Sequence, residues 1–434
     1  MTYKKSSSNK KKILVLAYAV SPTRGSEYSV AWNYIKEISK YYDVDVLYGA
    51  SGLHLGDCNE LESYLENNDV EDVNFIKVEP TRLQKKINVL NKAGLGYAFY
   101  IAFRLWHKSA LKLAKELTKS NNYSIVHQLN PIGFREPGYL YRLNIPFIWG
   151  PIGGGNFINP KLVAELPLKR RLLFLLKNCI NYLQLNFSSR VKESLGKADA
   201  LIFCNSENLN SFNKYHGVTG EVLSEQAIAD DILQKITLLP NFETTQKNRS
   251  GTLKLIWVGR LCPGKNISFL LNVLALLTDD VDVSLTIVGD GELKNELKQQ
   301  VIQLGVQKYV RFLGALPREQ ILIELSKSDL HCLCSFSEAN TTVIYEAFSV
   351  NTPTISLAQN GMLDTLKDGK GFLIPITNIN ETQQLFADKI MYLSKNRNCL
   401  NKARSTIFAQ RHLLSWKFKG EVLNSIYQKV IEES

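Results

Sequence analysis

The sequence predicts an α/β protein built from two doubly wound domains, and three observations carry that prediction. Apolar runs of strand length recur along the chain, each followed by a turn and then by apolar residues at helical spacing, the alternation that builds parallel sheets. The pattern stops at a polar stretch over residues 239–251 and restarts at residue 253. At 434 residues the chain also exceeds what one ordinary core accommodates, so two domains of about two hundred residues each are expected. The expected limits are a first domain over 1–240 with a disordered basic tail over 1–12, a second over 251–412, and a terminal helix over 413–434.

Residues 13–19 form the first strand, a turn from Pro22 to Glu27 follows, and an amphipathic helix over 28–41 leads to a second strand over 44–48. A dinucleotide-binding oxidoreductase needs three closely spaced glycines in that turn and an acidic residue ending the second strand. Only Gly25 lies in the turn, and Leu47-Tyr48-Gly49 ends the strand without an acid, so that class is disfavoured. Residues 85–117 interleave Tyr97, Phe99, Tyr100, Phe103 and Trp106 with Lys and Arg, and residues 166–190 do the same around Lys169-Arg170-Arg171. Such stretches suit helices lying on an anionic membrane face, and equally suit amphipathic helices packed on a sheet.

A strand over 124–129 carries His127 near its carboxyl end, the productive edge of a parallel sheet. A lone His on an apolar strand is otherwise a satisfied core residue. The strand over 146–149 runs into Gly150-Pro151-Ile152-Gly153-Gly154-Gly155-Asn156. Consecutive glycines leave backbone N–H groups unobstructed for a ligand, or make a flexible loop. Residues 200–205 give the last clear strand of the first domain.

In the second half, a strand over 253–258 leads into Gly259-Arg260-Leu261-Cys262-Pro263-Gly264-Lys265-Asn266 and a helix. Arg260 and Lys265 therefore precede a helix N-terminus, where both cations and the dipole can converge on one anion; surface ion pairing is the alternative. Strands over 284–288 and 310–313 follow, the first ending in Gly289-Asp290-Gly291-Glu292. The stretch 335–355 then reads as strand, loop, helix and strand, with Glu338 in the loop and Glu346 on the helix, seven residues between them. Such a pair can serve as general acid and base, recognise hydroxyls, or sit on a solvated helix face. Glu346 interrupts the otherwise apolar set Val343, Ile344, Ala347 and Phe348, which argues against the last.

The pattern Glu, seven residues, Glu, Ala, with Pro353-Thr354-Ile355 after it, resembles the signature of glycosyltransferase family 4, retaining nucleotide-sugar transferases of the GT-B fold. Gly259-Arg260 with Lys265, and Val288-Gly289-Asp290-Gly291, resemble the same family. Gly25-Ser26-Glu27 before a Trp-containing helix, and Trp149-Gly150-Pro151-Ile152-Gly153-Gly154-Gly155, are similar to one of its subgroups. The likeness is collinear over 253–375 and recognisable over 13–155; one departure is Ala339-Asn340-Thr341 after Glu338, where many members are Gly-rich.

The resemblance implies two Rossmann-like domains facing a central cleft, the first holding the acceptor and the second the nucleotide sugar, with the last helix crossing back to the first. It implies catalytic roles for Glu338, His127, Arg260 and Lys265. Donor binding falls to Gly25, Arg260, Lys265, Glu338, Asn340, Thr341, Thr342 and Glu346, and acceptor binding to Glu27, Gly153, Gly154, Gly155 and Asn156. The expected activity is retaining, metal-independent sugar transfer from a UDP- or GDP-linked donor to a glycan or lipid-linked acceptor in cell-surface polysaccharide synthesis. No cofactor is expected beyond that co-substrate. The alternatives are a non-catalytic glycan- or nucleotide-binding module of the same fold, motivated by the departure after Glu338, and a nucleotide-sugar epimerase.

A net charge of +11 fits phosphorylated substrates or an anionic membrane surface. Nucleic acid is demoted, because no helix-turn-helix, zinc module or aromatic RNA-binding signature appears. Lys10 to Lys12 before an apolar run over 13–20 mimics a leader peptide, but the run is far too short to span a bilayer and reads better as a buried strand. The seven cysteines are odd in number and scattered, so a disulfide framework is not expected and the chain reads as cytoplasmic, with peripheral attachment to the inner face of the cell membrane as the membrane variant. Asp43-Val44-Asp45 and Asp280-Val281-Asp282 match the short acidic motif of metal-dependent transferases, yet both begin a strand. They are read as solvated strand starts, with no bound metal.

Overall fold

Strand β1 (Lys12–Ala17) is buried from Ile13 onward on both faces, as a near-continuous apolar run requires at the centre of a parallel sheet. Around it lie β2 (Asp43–Gly49), β3 (Val73–Val78), β4 (Tyr123–Asn130), β5 (Phe147–Ile152), β6 (Ala200–Phe203) and β7 (Glu221–Val222). The order is β3-β2-β1-β4-β5-β6-β7, with every described pairing parallel. A computed structural model provides this description, covering residues 10–25, 27–49, 58–90, 97–164, 166–229, 232, 251–277 and 281–434. The expected linker over 241–250 lies outside them.

The second sheet repeats the plan with β8 (Leu253–Val258), β9 (Val283–Val288), β10 (Val310–Gly314), β11 (Leu330–Leu333), β12 (Thr354–Leu357) and β13 (Gly371–Ile374). Its order is β10-β9-β8-β11-β12-β13, again parallel. Trp257, Phe269 and Phe386 anchor its core, with the rings of Phe269 and Phe386 meeting edge to face at 5.7 Å. The direction of winding reverses between β1 and β4 in the first sheet and between β8 and β11 in the second. Ligand sites of doubly wound sheets open at the carboxyl ends of those strand pairs.

By contacts the chain falls into two units, one of Met1–Gly155, Tyr182–Glu225 and Trp416–Ser434, the other of Asn156–Asn181 and Gln226–Ser415. The single boundary expected near residue 240 is thus replaced by an exchange of segments. The helix Trp416–Glu432 packs on the helix Glu27–Ile38, with Trp416 against Tyr34 at 5.0 Å.

Other expectations change with their surroundings. Lys12 begins β1, and Lys10 is bonded to Asp72 at 2.6 Å and to the Ser39 carbonyl at 3.0 Å, so the basic tail does not extend to residue 12. Asp45 is not solvated: it is buried, paired with Lys12 at 3.1 Å, bonded by Asn74 at 3.0 Å and by the Tyr123 hydroxyl. Asp282 does sit at an exposed strand start, accepting from Thr252 at 2.6 Å, while Asp280 lies outside the described residues. In the helix Tyr97–Leu117, Phe103 and Trp106 are buried, Phe99 is half-buried and Tyr100 is exposed, so that stretch is chiefly a core-packed helix. Among the described residues no helix is long and apolar enough to cross a membrane.

Candidate functional site

The turn after β8 and the loop after β11 meet where the second sheet reverses. The turn closes through a short helical piece, Pro263–Lys265, and Asn266 takes a left-handed conformation (φ 51°) before the helix Ile267–Ala275. The Phe336 N–H donates to the Gly264 carbonyl at 3.0 Å, tying loop to turn. The Lys265 ammonium then forms an ion pair with Glu338. Arg260, on the same turn, is exposed and makes no ion pair among the described residues. The structure therefore brings Lys265 and Glu338 together and leaves a second cation, the exposed Arg260 guanidinium, on the same turn.

Glu346 lies on the helix Thr342–Ser349 and is buried, its carboxylate accepting from Arg318 Nε at 2.9 Å. Sequence reasoning missed Arg318, since its position at the start of the helix Arg318–Lys327 gives no sign of its partner. The N-cap Thr341 gives no side-chain cap, so the first N–H groups of the Thr342 helix lack the usual hydroxyl acceptor. Asn340 is buried and accepts from the Thr365 hydroxyl at 3.1 Å, and the Thr342 hydroxyl donates to Gln226 at 3.1 Å. These two groups are engaged in fixing the loop. Among the described residues no cluster of three or more His, Cys, Asp or Glu is placed to hold a metal.

In the first unit the loops after β1 and β4 converge in the corresponding place. Glu27 opens its helix, where the dipole favours a carboxylate. Burial nevertheless raises its carboxyl to about 7, opposed by a hydrogen bond from the Ile132 backbone and reinforced by Glu225. Asn130 holds the same corner by donating to the Ala19 carbonyl at 2.6 Å. Gly25 has open space where a Cβ would stand, and Ser26 lies outside the described residues.

The triple-glycine loop is packed rather than open. The Gly153 N–H donates to the Ile132 carbonyl at 2.7 Å and the Gly155 N–H to Asn208 Oδ1 at 2.8 Å, so neither is held out for a ligand. A Cβ on Gly155 would lie 2.9 Å from the Phe212 ring, which explains its glycine. Gly154 has φ +79°, the left-handed region that favours glycine, and Asn156 accepts at its carbonyl from Asn181 at 3.2 Å.

His127 requires a larger correction. It is fully buried, with Nε2 2.7 Å from the Gly150 carbonyl and Nδ1 2.5 Å from the Tyr427 hydroxyl. A carbonyl only accepts, so Nε2 carries the proton and Nδ1 accepts from Tyr427. Burial pushes this imidazole down to about 4, partly opposed by the Gly150 bond. Both nitrogens are satisfied inside the protein, so His127 is a core residue and not a sugar ligand.

With this geometry described, comparison places it among known proteins. Residues 241–409 match the model of the family Glycosyl transferases group 1. That stretch of the second unit is thus similar to the group 1 glycosyl transferases, and the chain as a whole has the GT-B fold. It resembles the lipopolysaccharide outer core galactosyltransferase WaaB over 96% of this chain and 99% of that one, with TM-score 0.63 and 15% identity. A Campylobacter jejuni GalNAc-alpha-(1->4)-GalNAc-alpha-(1->3)-diNAcBac-PP-undecaprenol alpha-1,4-N-acetyl-D-galactosaminyltransferase is 34% identical over 28% of this chain and 33% of its own length. An Escherichia coli UDP-Gal:alpha-D-GlcNAc-diphosphoundecaprenol alpha-1,3-galactosyltransferase is 32% identical over 33% of this chain and 39% of its own. The chain spans about a third of the length of the curated relatives it matches, 32% of a Saccharomyces cerevisiae phosphatidylinositol N-acetylglucosaminyltransferase subunit among them.

Proposed function

We propose that the protein is a retaining, metal-independent glycosyltransferase that moves a sugar from a nucleoside diphosphate to a lipid-linked glycan at the cytoplasmic membrane surface, in cell-surface polysaccharide synthesis. The observation that carries this reading is the Lys265–Glu338 pair at the reversal point of the second sheet, on a turn that also carries the exposed Arg260. Breaking the bond from the anomeric carbon to the diphosphate leaves negative charge on the phosphate oxygens while the sugar becomes oxocarbenium-like. Cations fixed beforehand on a rigid turn stabilise that charge more in the transition state than in the ground state. Arg260 and Lys265 supply two such cations. On donor binding the diphosphate takes over the Lys265 ammonium, and Glu338, released, faces the hexose. Glu346 accepts from the ribose hydroxyls, as an ionised carboxylate that only accepts. Both bacterial relatives named above act, by their names, on undecaprenol-linked sugars, and one uses UDP-galactose, which supports an acceptor and a donor of those classes here.

The deciding assay offers the protein UDP- and GDP-sugars with and without an undecaprenyl-diphosphate-linked glycan. Transfer with the donor's anomeric configuration kept in the product by NMR, and undiminished by EDTA, is expected. Isomerised donor without acceptor would make the protein an epimerase, and binding without turnover would make it a recognition module.

A further inference from the structure

The second unit contains a cavity of about 240 Å³ beside the turn that follows β8. Its apolar walls include Leu162, Phe174, Phe269, Leu297 and Phe336, and every residue that lines it belongs to that unit. Pro263 and Asn266 line it while Lys265 between them does not, and Phe336 lines it while Glu338, two residues on, does not. The turn and the loop thus each give one side to the cavity and another to the Lys265–Glu338 pair. Asn266 makes a polar spot in these walls. It is 8% exposed, its Nδ2 finds no acceptor among the described residues, and its carbonyl is taken by the Phe269 N–H at 3.1 Å and the Cys334 thiol at 3.2 Å. A buried donor left in that state costs free energy that an acceptor in the cavity would recover. Asn266 also gives no side-chain cap to the helix Ile267–Ala275, so the leading N–H groups of that helix, where Ile267 and Ser268 line the same cavity, lack the usual acceptor.

We propose that this cavity binds a small uncharged effector, a short apolar chain or ring carrying one carbonyl oxygen as a ketone or an ester does, with that oxygen accepting from Asn266. Size and charge select this class. A water's share of liquid volume is about 30 Å³, so the cavity takes about eight non-hydrogen atoms, and an apolar cavity of about 150 Å³ already takes benzene. Water alone would be set against apolar walls, short of the two to four polar partners that a buried water needs. The charged residues of the lining, Arg170 and Glu296, are joined to one another by two hydrogen bonds at 3.2 and 3.3 Å, so neither is held ready for an ionised ligand. The dipole of one helix does not offset the desolvation of a buried carboxylate, which leaves a neutral acceptor as the better match. The effector role rests on reading the turn as the holder of the donor diphosphate. An occupant packed against Pro263 and Asn266 orders that turn before the diphosphate arrives, and each ligand must then change the other's affinity by the same factor.

Full-length protein is titrated with 2-heptanone, hexanoate and acetone by saturation-transfer NMR, and with UDP by calorimetry in the absence and presence of saturating 2-heptanone. 2-Heptanone is expected to bind with a dissociation constant of about a millimolar or tighter, and the charged hexanoate and the shorter acetone about tenfold more weakly or worse. Asn266→Gly keeps the left-handed conformation at that position, removes the amide, and weakens 2-heptanone by about fivefold or more. Ser268→Trp, at an exposed position of the lining, fills the opening and abolishes binding. If a variant loses its melting transition, the ranking of the three ligands on wild type stands as the test. UDP is expected to bind about threefold tighter when the cavity is occupied. Absence of 2-heptanone binding, which would leave water as the occupant, overturns the proposal, as does equal binding of hexanoate or undiminished binding by both variants. UDP affinity that is unchanged or lowered by 2-heptanone overturns the effector role. Wild type that binds 2-heptanone but turns over no nucleotide sugar overturns the proposed function and leaves the cavity site intact; wild type that transfers sugar and binds no 2-heptanone does the reverse.

Discussion

Lys265 and Glu338 are 73 positions apart and meet because each sits just past the carboxyl end of a strand flanking one reversal point. The sequence could assign both to such loops, since the apolar runs before them are unmistakable strands. Arg318 was illegible for the opposite reason: an Arg in the first turn of an amphipathic helix is ordinary, and only the fold reveals Glu346 within reach. His127 misled because strand position alone does not say which face a side chain takes or what covers it, and the covering residue, Tyr427, lies 300 positions away. If Arg260 and Lys265 stabilise the leaving diphosphate, Arg260→Ala and Lys265→Ala each lower turnover by about a hundredfold or more. Arg260→Ala leaves the melting temperature unchanged, because its side chain is exposed. Equal turnover in wild type and both variants would remove these residues from the chemistry. Glu27 gives a second test at this scale. Its carboxyl titrates near 7 in the fold against an ordinary 4.5, so between those values the folded protein holds a proton that the unfolded chain has released. Its contribution to stability is complete below pH 4.5 and is lost as the pH rises through 7. Comparing Glu27→Gln with wild type by urea unfolding across that window should show part of this downward slope gone; an identical slope in both would mean that Glu27 is ionised throughout.

At the scale of elements, strands were the best-read parts, because runs such as LKLIWV have the length and apolar continuity of a strand buried on both faces. The glycine turns were legible for a geometric reason. Gly289, at φ +135°, lies so close to the Gly259 carbonyl that a Cβ would stand 1.8 Å from its oxygen, so both turns depend on that approach. The acidic strand starts were read less well. Asp282 is exposed as expected, but Asp45 is buried, as is Asp329, which no motif marked, and periodicity does not report that a carboxylate has been enclosed with its partners. Asp329 precedes β11 and accepts from the Lys254 N–H at 3.0 Å and from Arg404 at 3.3 Å, the Arg itself being buried. Removing one member of a buried pair leaves the other charge uncompensated, at a cost of about 3–5 kcal/mol. Asp329→Ala is therefore expected to destabilise the second unit by that amount in urea unfolding, while Glu296→Ala, which removes an exposed carboxylate 3.2 Å from Arg170 at the surface, changes it by less than about 1 kcal/mol. A small effect of Asp329→Ala would show that Arg404 finds another partner.

For the whole molecule, the restart of the strand and helix pattern made two units legible, but the segment exchange between them was not. A helix such as Leu168–Phe187 announces its length and composition, and nothing in its periodicity says which unit receives Asn156–Asn181. The last helix was legible only through the family resemblance, and the structure supplies its physical reason. Trp416 covers Tyr34, Tyr427 meets Tyr42 at 5.5 Å and completes His127, and Lys419 donates to the Ser224 carbonyl at 2.7 Å from a site whose burial pushes its ammonium down to about 7. These contacts close the core of the first unit with residues that arrive last in the chain. The contact is tight at Gly420, where a Cβ would lie 2.6 Å from that of Glu37. Gly420→Val is accordingly expected to cost about 1–3 kcal/mol through overpacking. Truncation after Ser415 should act on the same core more severely. Hydrogen exchange would then show protection lost in β1, β4 and the helix Glu27–Ile38, with β8 to β13 still protected, since Tyr34, Tyr42 and His127 lose their cover while the second sheet loses nothing. Protection unchanged in the first sheet would mean that its core closes without the last helix, and the Gly420 contact would then be incidental to folding.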